Sequence, residues 1–339
     1  MAFSHIAGKV QTVLGPVSPE ELGITLPHEH LVVDLRPLFQ VSEGANGRAQ
    51  ALELVGLQNH YELTCNWTSN PDNLLLDEKI AIEEALLYRW EGGQAIADVS
   101  PPSMGRDPLA LQRVARATGL HIIMGAGYYS GRIHPADMDA KKEEDLSREL
   151  VREVTEGIGD TGVRSGLIGE IGCSWPITPN ERKVLRAAAE AAKETGAPLM
   201  IHPGLDPAAP EAHLEEVRKT GLDLRRVIMA HMDHVEVSKC DRAWLRAIAE
   251  TGCFLAYDHF GKEVSHYPSS ASGENYEMIS DAERIRQILW LLEQGYGQQI
   301  HLSHDIALKV KLVILISYQD ETKRVTLSSW QDHEEPTNN

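Results

Sequence analysis

The sequence predicts an α/β fold, a parallel sheet closed into a TIM (β/α)8 barrel, and three observations carry that expectation. Short apolar runs alternate with longer amphipathic stretches about eight times along the 339 residues, at spacings of roughly 30 residues. No G-x-G-x-x-G follows the first run, as an open dinucleotide-binding sheet would require. Gly125-Ala126-Gly127 stops at G-x-G and reads as tight packing at a strand end. No Pro/Gly/Ser-rich linker divides the chain, so residues 1–306 read as one barrel domain and 307–339 as a divergent tail.

The strands expected are 25–34, 94–99, 121–128, 166–172, 198–202, 227–231, 253–258 and 299–304, each a short run rich in Val, Ile, Leu and Met. Residues 40–76 are the least regular and read as an insertion after the first strand. Helical patterns fill the intervals at 77–90, 107–118, 146–158, 179–195, 209–220, 239–251 and 281–294. The stretch 107–118 opens on Asp-Pro, a cap and first-turn pair, and several helices stop at Thr-Gly or Gln-Gly. After the eighth strand the pattern breaks. A barrel needs a helix there, yet 308–318 is β-branched and apolar, with strand propensity rather than helical amphipathicity. The last helix is therefore unaccounted for.

The charge is −18, from 32 basic and 50 acidic residues. That balance argues against nucleic acid, which needs clustered Lys and Arg, and against an anionic membrane surface. No signal-peptide pattern opens the chain, and no apolar run reaches the ~18–20 residues of a spanning helix. Four scattered cysteines form no C-x-x-C pair. A cytosolic protein acting on a small molecule is expected, and a homodimer is compatible with this.

The fifteen histidines are the informative feature, because several sit at the ends of apolar runs. Barrel enzymes build their sites at the carboxyl ends of the strands. In the first strand His28 and His30 point to one side while Glu29 faces away. Glu170 ends the fourth strand, His202 the fifth, His231 the sixth and Asp305 the eighth. Four histidines and two carboxylates meeting at one mouth supply donors for two divalent ions sharing a bridging carboxylate and hydroxide. Cys173 is a poor nucleophile candidate in such a site. Tyr128, Tyr129 and Trp175 are candidates for an apolar pocket wall.

Thr25-Leu26-Pro27-His28-Glu29-His30, residues 166–178 (GLIGEIGCSWPIT), Ile201-His202-Pro203-Gly204 and Ser303-His304-Asp305 closely resemble the phosphotriesterase-related branch of the metal-dependent amidohydrolase superfamily. The likeness runs from about Val10 to Ile306. It implies a metallo-dependent hydrolase barrel with two divalent ions, zinc by expectation. His28, His30 and Asp305 would hold the more buried ion, and His202 and His231 the more exposed one. Glu170 would bridge them where the phosphotriesterases proper carry a carboxylated lysine. Glutamate is shorter, so the metals or the fourth strand must shift to compensate. Asp305 is the expected general base, with Asp233 and His259 as a proton relay or as supports of ligand histidines.

The resemblance points to a metal-held hydroxide attacking an amide carbonyl, as in hydrolysis of N-acyl taurines or N-acyl amino acids. Phosphotriester or lactone hydrolysis is the alternative, since loops rather than fold set specificity. A sulfonate or carboxylate substrate needs a cation at the mouth, for which Arg132 and Lys262 are nearest by position. The divergent tail leaves a third reading, an impaired isoform that is inert or acts as a binding protein. His234, Asp258 and His304 receive no role, and His304 is expected to point away from Asp305.

Overall fold

The computed structural model describes residues 8–41, 44–234, 241–264 and 278–313, and of 267–268 and 275–276 the backbone pairing alone. Eight strands form one sheet: β1 (Thr25–Glu29), β2 (Ala95–Asp98), β3 (His121–Ala126), β4 (Leu167–Gly172), β5 (Leu199–His202), β6 (Val227–Met229), β7 (Phe254–Tyr257) and β8 (Ile300–Leu302). They neighbour one another in chain order and every pairing is parallel. The fold is a (β/α)8 barrel. Its seam between β8 and β1 is stitched largely by side chains. Ser303 Oγ accepts from the His28 N–H at 3.1 Å and faces Glu29 Oε1 at 2.8 Å. Glu29 also accepts from the backbone N–H groups of His304 at 2.8 Å and Ile306 at 2.9 Å.

Alternation sets the two faces of the strands. Val227 and Met229 pack outward with Leu199 and Ile201 against the helices, while Ile228 and Met200 fill the interior with Ala97, Val99 and Ala256. Val10, from an antiparallel hairpin (Val10–Thr12 with Gly15–Val17), packs against that interior. β4 breaks its alternation, because its pairing with β5 shifts register between Ile168 and Ile171. Gly169 makes this possible: at φ 139° a side chain there is strained, and its Cβ would lie 2.8 Å from the Met200 carbonyl oxygen. Gly125 is similarly crowded by the Gly169 carbonyl, as the G-x-G reading expected.

Seven outer helices are described: α1 (Glu78–Trp90), α2 (Pro108–Thr118), α3 (Glu143–Thr155), α4 (Pro179–Thr195), α5 (Ala208–Arg218), α6 (Arg242–Glu250) and α7 (Asp281–Glu293). Asp107 caps α2 by accepting from Leu109 and Ala110, and Gly119 ends it in the left-handed conformation. α4 begins with a Thr178/Glu181 capping box, and its buried Ala187, Ala188, Ala191 and Ala192 let it pack closely on the sheet. α3 spans 143–155 rather than 146–158. Its acidic first turn, Glu143-Glu144-Asp145, favours the positive end of the helix dipole, a start that apolar periodicity does not register.

Six of the eight strands stop short of their expected carboxyl ends, while β4 and β5 end as expected, at Gly172 and His202. β1 stops at Glu29, and Val33–Asp34 leaves the barrel to pair antiparallel with Leu75–Leu76. This closes the expected insertion, which carries two short helices, Ala45–Gln50 and His60–Cys65. The segment after β8 turns back onto that insertion. Leu308, Val310 and Leu312 are buried against Val33, Leu35, Leu38, Leu63 and Leu74 around a short turn at Lys309–Lys311. The strand propensity expected for 308–318 gives way there to this turn, because the apolar residues find a core to enter; residues 314–339 lie outside the described residues. Among the described residues no helix is long and apolar enough to cross a membrane.

Candidate metal centre

β1 delivers His28 and His30 to the barrel mouth, and the Nδ1 of each imidazole faces a polar side chain. In His28 that atom lies 2.8 Å from Asp258 Oδ2, and in His30 it lies 2.9 Å from Ser100 Oγ. Both Nε2 atoms therefore face the centre. His30 Nε2 lies 3.1 Å from Asp305 Oδ1. His28 Nε2 is buried without a hydrogen bond, 3.5 Å from Glu170 Oε1 and 3.7 Å from Asp305 Oδ1. An orphaned ring nitrogen facing two carboxylates fits a metal site, since neutral imidazole is a donor to divalent ions.

Glu170 is the hub. Its Oε1 lies 2.6 Å from His202 Nδ1 and 3.1 Å from His231 Nε2, and its Oε2 lies 3.8 Å from His30 Nε2. Burial would push this carboxyl up, but the imidazoles of His202 and His28 outweigh it and hold it well below the usual range. His202 Nδ1 and His231 Nε2 approach to 2.7 Å. His231 adopts φ 55° and Asp305 φ 49°, left-handed conformations that bend each side chain off its strand end into the mouth. Such backbone strain costs on the order of 1–3 kcal/mol per residue and concentrates at functional sites.

Asp258, at the end of β7, organises the floor. One carboxylate reaches His28 Nδ1 and, at 2.7 Å, His231 Nδ1, while also accepting from the His231 N–H. Burial opposes its charge, yet His231 and His28 hold it ionised. Asp305 Oδ2 faces His259 Nε2 at 3.1 Å and the Lys262 ammonium at 2.5 Å. Behind His259, Asp233 accepts its N–H at 3.1 Å and is bound by the fully buried Arg284 at 2.7 Å. Burial, and Lys262 beside it, push the His259 imidazole down to about 3. Burial and the neighbouring Asp258 raise Asp233 to about 6 against the pull of Arg284.

The six expected donors thus converge. His28, His30 and Asp305 bring donor atoms within 4.8 Å of one another, and so do His28, Glu170 and His231. The structure places three other expected residues away from the cleft. Tyr128 donates to Glu149 on the outer side, Trp175 packs beside His213, and Arg132 is solvent-exposed. The aromatic wall is Tyr129, its ring tilted 60° to that of His202 at 4.9 Å, with Trp67 from the insertion. Leu35, Leu38, Met104, Leu308, Lys262 and Lys311 also line the cleft. Cys173 is buried, which pushes its thiol well above the ordinary range. His304 turns outward to Glu29, as expected.

Sequence reasoning left Asp258 and Ser100 without roles. A carboxylate and a hydroxyl just beyond strand ends, in register with ligand histidines, are the signal that finds such supports.

A family model described as the phosphotriesterase family matches residues 8–322, extending past Ile306 where the likeness was expected to stop. N-acetyltaurine hydrolase of Rattus norvegicus is 38% identical over 313 residues, covering 92% of this chain and 88% of the relative. That of Tetraodon nigroviridis is 40% identical, covering 91% and 87%. Among solved structures, a resiniferatoxin-binding protein from Rhodobacter sphaeroides superposes with a TM-score of 0.85 at 34% identity, covering 91% of this chain and 84% of that one.

Proposed function

Since the chain belongs to the phosphotriesterase family of metal-dependent hydrolases, we propose that it binds two zinc ions and hydrolyses the amide of N-acyl amino-sulfonates such as N-acetyltaurine. The carrying observation is Glu170, one buried carboxylate within 4 Å of four imidazoles. His28, His30, Glu170, His202, His231 and Asp305 would hold the ions in this reading, with Glu170 standing between the two groups of imidazoles. The relatives named for N-acetyltaurine, matched over 87–88% of their own length, support the substrate.

Two divalent ions in this donor set supply a water acidified towards neutrality and an electrophile for the carbonyl oxygen. The protein positions and moves protons around them. Asp305 Oδ2 is the acceptor as the water attacks, and His259 Nε2, 3.1 Å away, passes the proton outward. Asp233 and Arg284 fix His259 in place. Leu35, Trp67, Met104, Tyr129 and Leu308 exclude bulk water and accept the acyl group.

The test is metal analysis of the purified chain with parallel assays on N-acetyltaurine, a lactone and a phosphotriester. Close to two ions per chain and fastest turnover of the amide are expected, and Glu170→Gln lowers turnover at least ~100-fold. Trace metal in a folded, metal-supplemented preparation overturns the centre. Preference for the lactone or phosphotriester overturns the substrate.

A further inference from the structure

The strongly acidic chain repels anions at long range, so an anionic substrate needs local cations. Arg132 is exposed and absent from the cleft wall; the lysines that line the wall are Lys262 and Lys311. Lys311 comes from the segment after β8, on a turn pinned to the insertion. The Lys309 N–H donates to the Asn73 carbonyl at 3.0 Å, Val310 N–H donates to Asn73 Oδ1 at 2.9 Å, and Lys309 Nζ pairs with Asp72 at 2.5 Å. Val310 and Leu312 on either side are buried, and the half-buried Lys311 lines both the cleft and the groove beside α1. Lys309 has its carboxylate. Among the described residues no carboxylate pairs with Lys311.

We propose that Lys311, with Lys262 beside it, forms a subsite for the anionic end of the substrate, a sulfonate or carboxylate, in the cleft that holds the Glu170 cluster. A half-buried ammonium without a counter-charge is costly, and a ligand oxygen removes that cost through charge-assisted hydrogen bonds. Burial and the nearby Lys262 lower Lys311 to about 8, so it remains mostly charged at neutral pH and gains on meeting an anion. The subsite rests on the hydrolase reading of the cluster and deepens it by naming what holds the far end of the substrate.

The experiment titrates ethanesulfonate into the metal-supplemented full chain by calorimetry and measures KM for N-acetyltaurine and uncharged N-ethylacetamide. Lys311→Gln weakens ethanesulfonate about ten-fold and raises the KM ratio of charged to neutral amide by a similar factor, while Lys311→Arg stays within about three-fold. Lys311→Met replaces the glutamine variant if that melts early. Equal ethanesulfonate affinity in wild type and a folded Lys311→Gln or Lys311→Met overturns the subsite and leaves the hydrolase reading standing. Ethanesulfonate binding through Lys311 without turnover of N-acetyltaurine overturns the amide reading and leaves the subsite standing.

Discussion

At the scale of single residues, the donors depend on what stands behind them. Asp258 touches both His28 and His231 through Nδ1, so it sets which nitrogen of each ring faces the centre. Asp258→Asn puts an amide N–H against one ring N–H, and metal affinity is expected to fall about 10–100-fold. Competition with a chelator measures this, and unchanged affinity rules the role out. His213, fully buried on α5, makes a second prediction because burial pushes its imidazole down to about 4. The unfolded chain, with an ordinary value near 6.5, takes up the proton first. Stability from this site is whole above about pH 6.5, falls as the pH drops, and reaches its full loss of about 3 kcal/mol near pH 4. His213→Leu is expected to flatten that acid limb in denaturant melts, and parallel curves for the two proteins exclude it. The six donors were legible in the sequence because each stands at a strand end, where chemistry and position agree. The cleft wall was not: Tyr128 and Tyr129 are neighbours, and only the exact end of β3 decides that Tyr129 turns inward.

Among the elements, β1 and β8 carry the most consequence for the fewest backbone bonds. Glu29 reads in sequence as the residue between two ligands that faces away, and it does face away. Its carboxylate nevertheless closes the barrel by accepting from Ser303, His304 and Ile306, directly beside Asp305. Glu29→Gln leaves one backbone N–H facing an amide N–H in a buried seam. The expected loss is about 1–3 kcal/mol in thermal melts, with weaker metal retention, since the seam positions Asp305. A variant that melts and binds metal like wild type shows the seam is held otherwise. The ends of α2 and α7, marked by side-chain caps or a glycine stop, were readable from the sequence to within a residue, whereas α6, capped by Asp241, starts three residues after its expected start. The start of α3 and the break in β4 were not. The first depends on charge against a dipole, and the second on a register shift between strands distant in sequence.

For the molecule as a whole, the outer ring carries seven helices among the described residues. Between α1 and the β8 seam runs a groove lined by Leu26, Ile80, Leu87, Ile306, Lys311 and Leu312. On α7, Ile285, Leu289 and Leu292 are each about half exposed along one stripe, and Leu302 at the end of β8 is about half exposed as well. An eighth helix would lie over these surfaces in a complete ring. The segment through Leu312 cannot be exchanged for such a helix, because Leu308, Val310 and Leu312 complete the core under the insertion and Lys311 lines the cleft. The informative cut is after Val313. A chimera carrying an amphipathic helix from that point should cover a few hundred Å² of apolar surface, which at ~25 cal/mol per Å² amounts to several kcal/mol. That is comparable with the whole stability margin of a domain. A higher melting temperature, higher soluble yield and unchanged metal content are therefore expected for the chimera. Equal melting temperatures in the two chains would mean that residues 314–339 already cover the groove as well as a designed helix does.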